Sequence, residues 1–488
     1  MGGTQGGMGM ELWAIVPELT IAGLILLLLP LGPFLPPGRK YIATWIALAG
    51  LVIVALESAR MLFFATQPIF LDTYAVDQFA VYFKLFAVAA TAFVLLATQS
   101  HFRGRPHEGE VPALLLIVCL GMMGLAASQD LALIALFIQL VTVGSYILVG
   151  IAKENRSATE AAFKMFLFSA TVGAVMIYGM VLLFGLTGTL RLPELATKLP
   201  AMPVVTTIAA FLLVLAGYGF EVTLVPFHTW APDTYQGAPT PIAGFLSVGP
   251  KAAGLAVLLR TLVVAFPHNL GHWAEIMAVI AAITMTVGNL FALRQNSVKR
   301  LLAYSSIAQV GYILVGIAAA ERSSLAIPGA LLYLAVYLFM NLGAFLAVDA
   351  IERQVQSDDI AKLAGLGRRL PLTSAVLAVC LLSLAGFPPF GGFIGKTYLF
   401  GAALGGGWTW LTIVMLVNVA VSLFYYVRVL EPMYLRSSPN KPLKKEPAAL
   451  RFVLLALGVG TLLSGVLPQA WVVLATHAAS LLGAIVPH

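Results

Sequence analysis

The chain has 488 residues, of which 60% are hydrophobic and 10% charged. That composition excludes an ordinary soluble domain and points to a bundle of membrane spans. The formal net charge of +7 reads as loop lysines and arginines that set orientation in the bilayer, not as a surface for nucleic acid.

The opening residues MGGTQGGMGMEL hold no lysine or arginine ahead of the first apolar run, so they lack the basic start of a cleaved signal peptide. The first span is expected to be retained. About fourteen runs reach the roughly 20 residues that a span requires, near 12–31, 41–65, 77–98, 111–128, 130–152, 159–187, 203–229, 241–264, 273–294, 300–320, 324–352, 371–402, 409–434 and 450–476. The expected fold class is an all-α polytopic membrane protein with about 14 transmembrane helices. Segments 203–229 and 371–402 are long and contain Pro226 and Pro388-Pro389, so spans 7 and 12 read as broken helices. The breaks lie five spans apart. Spans 4–8 and 9–13 are therefore expected to form two inverted five-helix repeats, because an odd number of helices per unit turns the second copy over. The expected divisions are 1–110 (spans 1–3), 111–264, 265–435, and 436–488 with span 14.

Counting basic loop residues on alternate sides gives eighteen against five, the minority being Arg60, Arg191, Lys198, Arg260 and Arg322. The majority side, including loops 100–110 and 436–449, is expected in the cytoplasm, with both termini, His488 included, outside.

The least lipid-compatible stretch runs from Gly217 to Pro241 and carries Glu221, His228 and Asp233 among four prolines. Ten residues on comes Lys251, in the middle of the next span. A charge there is costly and usually lines a proton or ion route, and burial makes a lysine able to gain and lose its proton. Lys396 follows the second break, Gly386-Phe-Pro-Pro-Phe-Gly-Gly392, where freed backbone groups admit water. His228 and Asp233 could extend a polar path or could satisfy the unwound backbone. Both readings stand. Lys164, four residues after Glu160, fits an i, i+4 pair. Glu18 and Asp77 fit capping or interface roles, and Lys84 fits either class. Cys119 and Cys380 lie in separate apolar runs and read as core-filling thiols. No metal site, dinucleotide fingerprint or phosphate loop is expected in this chain.

Three long segments carry a resemblance. Pro226-Phe-His-Thr-Trp-Ala-Pro-Asp-Thr-Tyr-Gln-Gly-Ala-Pro-Thr-Pro241 with Lys251, Ser297-Val-Lys-Arg-Leu-Leu-Ala-Tyr-Ser-Ser-Ile-Ala-Gln-Val-Gly-Tyr312, and Leu382-Ser-Leu-Ala-Gly-Phe-Pro-Pro-Phe-Gly-Gly-Phe-Ile-Gly-Lys396 resemble the antiporter-like membrane subunits of proton-pumping NADH:quinone oxidoreductase, respiratory complex I. Among these the chain is most similar to subunit N. It ends soon after its last predicted span, unlike the distal subunit with its long lateral helix.

The resemblance implies a proton-relaying subunit with no cofactor of its own. NADH or another donor, FMN, iron–sulfur clusters and quinone would sit in other subunits. The implied partners are further membrane subunits, including an adjacent small subunit and another antiporter-like subunit, within a bacterial-type cytoplasmic membrane. Lys251 and Lys396 match family lysines of spans 8 and 12. The family's span-5 glutamate and span-7 lysine are replaced here by Gln139 and Glu221. Glu221, Lys251 and Lys396 are thus the expected proton carriers, with Gln139, Lys164, His228 and Asp233 in support. The Gln139 amide and the Lys251 charge are the expected stabilisers of Glu221. A cation/proton antiporter subunit, or part of a related hydrogenase or ferredoxin-driven complex, is the alternative.

Overall fold

The structure is a computed structural model that describes residues 12–36, 38–63, 68–266, 270–437 and 443–483. His488, the first eleven residues and Lys441 lie outside the described residues. The principal helices are α1 (Val16–Phe34), α2 (Tyr41–Arg60), α3 (Gln78–His101), α4 (Val111–Ala127), α5 (Leu131–Val149), α6 (Arg156–Thr187), α7 (Val204–Val222), α8 (Trp230–Gly237) and α9 (Thr240–Ala265). They continue as α10 (Leu270–Leu293), α11 (Val298–Ala318), α12 (Ala326–Val355), α13 (Pro371–Ala385), α14 (Gly391–Gly405), α15 (Thr409–Leu435), α16 (Ala448–Val466) and α17 (Gln469–Gly483).

Polar residues mark where several of these helices begin. Asp77, Asp130, Asn155 and Ser297 each accept a hydrogen bond from a first-turn backbone N–H, satisfying donors that a helix start leaves unpaired. Among the described residues, twelve helices are long and apolar enough to cross a membrane. α4 and α13 are apolar but shorter, so the expected count of fourteen is not reached by this measure. The predicted run 450–476 is also two helices, α16 and α17. Pro468 lies between them, has no N–H to continue the first, and so starts the second.

Both broken spans are present. α7 stops at Thr223, with φ +65°, and the chain resumes as α8; α13 stops at Gly386, with φ +87°, and resumes as α14. A left-handed residue at this position turns the chain and satisfies the last carbonyls.

The loops sort onto two faces. Gln129 N–H donates to the Thr73 carbonyl at 2.8 Å, and Leu131 and Leu192 link residues 129–131 to 190–192. On the opposite face Val298 N–H donates to Asp358 at 2.8 Å, and Lys40 Nζ reaches the Pro106 carbonyl at 2.7 Å. The second face is the one rich in basic loops. Arg260, counted above among loop residues, is instead buried in α9. Its guanidinium grips Asp77 at 2.7 and 2.8 Å and donates to the Ala126 carbonyl, which a cation this deep requires. Lys84 pairs with Glu18 at 2.8 Å, and Tyr74 donates to the same carboxylate.

The most sheltered spans are α9, buried throughout, and α11 and α12, each 94% buried over its membrane window. Lys251 and a series of serine, glutamine, asparagine and tyrosine side chains lie on these three, away from lipid.

Candidate functional site

Lys251 follows Pro250 inside α9. A proline has no N–H, so the carbonyl of Leu246, four residues earlier, loses its helical partner. Tyr235 supplies the replacement, its hydroxyl donating to Leu246 O at 3.2 Å. This places the Tyr235 ring 5.5 Å from the Lys251 ammonium. Lys251 is 1% exposed and donates to Ser306 Oγ at 2.8 Å.

Lys396 occupies the second break. Its ammonium donates to the carbonyls of Leu384 at 2.7 Å and Ala385 at 3.1 Å, at the negative end of half-helix α13. The Tyr312 ring lies 4.8 Å beneath it. A Cβ on Gly386 would stand 2.9 Å from Lys396 Cδ, so only glycine fits here.

Between the two lysines runs a series of polar contacts on α11 and its neighbours. Ser306 adjoins Ser305, whose hydroxyl lies 2.5 Å from Tyr426 OH. Gln309 Nε2 donates to Tyr426 OH and to Leu384 O, both at 3.1 Å, and Leu384 O is the carbonyl that receives Lys396. Tyr333 donates to the other end of the Gln309 amide. Tyr312 accepts from Asn289 at 2.9 Å, and Asn289 is bound in turn to Asn418 and Tyr425. Hydroxyls can both give and accept protons, so this arrangement can order a proton path once water joins it.

Glu221 is 5% exposed near the end of α7. Its neighbours differ from expectation. Among the described residues its carboxylate forms no ion pair within 4 Å with Lys251, and its hydrogen bond comes from Thr142 Oγ1 at 3.3 Å. Thr142 also lies 2.7 Å from its own Ile138 carbonyl, so its single proton is shared. Gln139 lines a small cavity together with Thr142 and Phe220, and its amide nitrogen points at Gly173. Gly254, three residues after Lys251, lets Glu221 pack directly on α9.

The supporting residues divide. Lys164 pairs with Glu160 at 2.8 Å, the i, i+4 contact, and also with Asp233 at 2.9 Å. Arg300 holds the other Asp233 oxygen at 2.7 Å. These residues line a cavity of about 740 Å³ on the basic-loop face. His228, half-buried in the first break, is not bonded to Asp233, and its buried Nδ1 has no hydrogen-bond partner among the described residues.

Reading from sequence alone passed over Tyr235, Ser306, Gln309, Tyr312, Tyr426 and Thr142. The available signal was polar residues at helical spacing, Ser305-Ser306, Gln309 and Tyr312, within a span that the structure buries on every side. Among the described residues no group of three histidine, cysteine, aspartate or glutamate side chains could hold a metal ion. Cys119 and Cys380 are buried free thiols.

Broken helices, buried lysines and a polar track between them define a membrane subunit of the proton-antiporter type, and residues 128–422 match the family model described as NADH:quinone oxidoreductase/Mrp antiporter, TM. The NADH-quinone oxidoreductase subunit N of Trichlorobacter lovleyi is 37% identical over 481 residues, covering 96% of this chain and 97% of that one. The F(420)H(2) dehydrogenase subunit N of Methanosarcina mazei is 34% identical, covering 97% and 99%. A chain of respiratory complex I from Thermus thermophilus superposes with a TM-score of 0.80 at 32% identity, covering 94% of this chain and all of that one. The chain belongs to the subunit N family of NADH-quinone oxidoreductases.

Proposed function

We propose that the chain relays protons across the membrane within a complex-I-type NADH:quinone oxidoreductase, with Glu221, Lys251 and Lys396 as carriers. The observation that carries this reading is two sets of buried contacts that meet at adjacent residues of α11: Lys251 with Ser306, and Ser305 with Tyr426, Gln309, the Leu384 carbonyl and Lys396. Among the described residues neither lysine has a carboxylate within ion-pair distance, so each can lose its proton without leaving an unpaired buried anion behind. Redox chemistry, with its flavin, iron–sulfur clusters and quinone, belongs to neighbouring subunits. Those neighbours include another antiporter-like subunit and a small membrane subunit. The basic-loop face is the cytoplasmic one, in a bacterial-type membrane, with both termini on the other side.

Residues 111–264 and 265–435 are two inverted five-helix repeats. In support, each broken helix ends on a left-handed residue, and a Pro-Phe pair begins three residues later: Thr223 with Pro226-Phe227, Gly386 with Pro389-Phe390. Lys251→Met in assembled complex, with quinone-linked acidification of vesicles followed by a pH-sensitive dye, tests the relay. Undiminished pumping per quinone reduced would sink it. The antiporter reading is favoured by the family model, and it would require sodium-dependent transport without any electron donor.

A further inference from the structure

The cavity on the basic-loop face holds a second acidic group with a different environment from Asp233. Asp349, on α12, lines this cavity while being 0% exposed itself. Its Oδ1 lies 2.6 Å from His101 Nδ1, and its Oδ2 has no hydrogen-bond partner among the described residues. His101, at the end of α3, lines the same cavity, with Arg105 at 3.4 Å from its Nε2. The remaining charges nearby are engaged elsewhere. Arg353 donates twice to Ser100 at 2.9 Å, and Glu352 is held by Thr240 and Lys299.

From Asp349 the polar side chains of α12 lead inward. Asn341 is eight residues back, about 12 Å along a helix. Its amide donates to Ser247 Oγ at 2.7 Å, while its Oδ1 is buried without a partner among the described residues. Tyr337, one turn further, donates to the Ser247 carbonyl at 3.1 Å. Ser247 lies one turn before Lys251 on α9. Only the turn at Phe345, packed against Gly244 and Tyr235, has no polar side chain, and there water has to carry the proton.

We infer that His101 and Asp349 form the proton-uptake port of this subunit and feed Lys251 past Asn341 and Ser247. The inference rests on the relay proposed above. Asp233 suits the task less well, being clamped between Lys164 and Arg300, two cations that hold their protons firmly. His101, by contrast, lines the cavity and has two ring nitrogens, so it can accept a proton at one and donate at the other, to Asp349. Nε2 takes a proton from cavity water as Nδ1 gives one to Asp349. The carboxyl then releases it, through water ordered by Asn341 and Ser247, to the neutral Lys251 amine. One proton moves from cavity to lysine; His101 is left protonated at Nε2 in place of Nδ1 and returns to its starting tautomer by exchange with water before the next transfer.

The test uses assembled complex in vesicles, with acidification normalised to quinone reduced. His101→Ala and Asp349→Asn should each lower pumping by about a hundredfold, the lower end of proton-transfer contributions. Added imidazole should restore His101→Ala in part, but neither Asp349→Asn nor Lys251→Met. A merely structural strap between α3 and α12 would not respond to imidazole. If His101→Ala fails to assemble, His101→Gln and Asp349→Asn carry the test by pumping alone. Parent-like pumping in these variants, or a loss in assembled His101→Ala that imidazole leaves unchanged, overturns the port. Parent-like pumping in Lys251→Met would instead remove the relay on which the port rests, and the port with it.

Discussion

Lys396 donates to the Leu384 carbonyl at 2.7 Å, so the cation closes the half-helix whose interruption makes room for it. Lys251 is held by equally neutral groups, Ser306 and the Tyr235 ring. Carboxylate partners would fix both charges in place. Carbonyls, hydroxyls and ring faces hold an ammonium yet leave a neutral amine tolerable, which is what a carrier needs.

Replacing Lys251 separates charge from proton exchange. Lys251→Met keeps an unbranched chain and should assemble while losing most pumping. Lys251→Arg keeps the charge but does not release it at reachable pH, so it should fail as well. Dye-monitored acidification per quinone reduced distinguishes them. Pumping by the arginine variant at the parent rate would mean that only a fixed positive charge is required.

Tyr426 joins Ser305 to Gln309 through one oxygen. Tyr426→Phe removes that oxygen and little else. The loss of roughly 1 kcal/mol per neutral hydrogen bond corresponds to about fivefold in any step that depends on it. Assembly should be unchanged on native gels, and pumping should fall by at least that factor. An unchanged rate would place the route off the Ser305–Gln309 track.

Gly386 is required twice, by its φ of +87° and by the 2.9 Å from its absent Cβ to Lys396 Cδ. The left-handed conformation alone costs an alanine about 1–2 kcal/mol. Gly386→Ala should therefore lower the thermal midpoint of the assembled complex and its pumping together. Gly185→Ala, in the last turn of α6 with nothing within 4 Å, should leave both intact. Equal behaviour of the two variants would contradict the packing at the second break.

Much of this was legible in the chain. Pro226 and Pro388-Pro389 located both breaks, because a proline inside an apolar run has no other effect so strong. Lys251 and Lys396 stood out because a charge amid apolar neighbours is costly. The partners were not legible. Thr142 and Ser306 are single hydroxyls on other spans, and only the assembled bundle brings them to Glu221 and Lys251. The Arg260–Asp77 pair was missed for the same reason, its members lying 183 residues apart.

Orientation can be tested separately. Ser437 and Ser324 are exposed on opposite faces, the first on the basic-loop side. Single cysteines there should label from opposite sides of the membrane, Ser437→Cys only from the cytoplasm. Labelling of Ser437→Cys in intact cells would reverse the assignment.

Glu221 forms no ion pair among the described residues. Thr142 is its hydrogen-bond donor, at 3.3 Å, and that donor is shared with the Ile138 carbonyl. Gln139, one turn from Thr142, borders the same small cavity but cannot titrate. Glu221→Gln keeps shape and hydrogen bonding while removing the exchangeable proton, so pumping should fall about as far as in Lys251→Met. Glu221→Lys should do worse, since it buries a second cation against Gly254, one turn from Lys251 on α9, without the carboxylate that would pair with it. Adding Gln139→Glu supplies that anion from the facing helix and should recover part of the activity, provided the Gly173 side keeps its space. Acidification of vesicles, normalised to assembled complex, reads all three variants. If Glu221→Gln pumps like the parent, the carboxyl is structural and the proton reaches Lys251 without it.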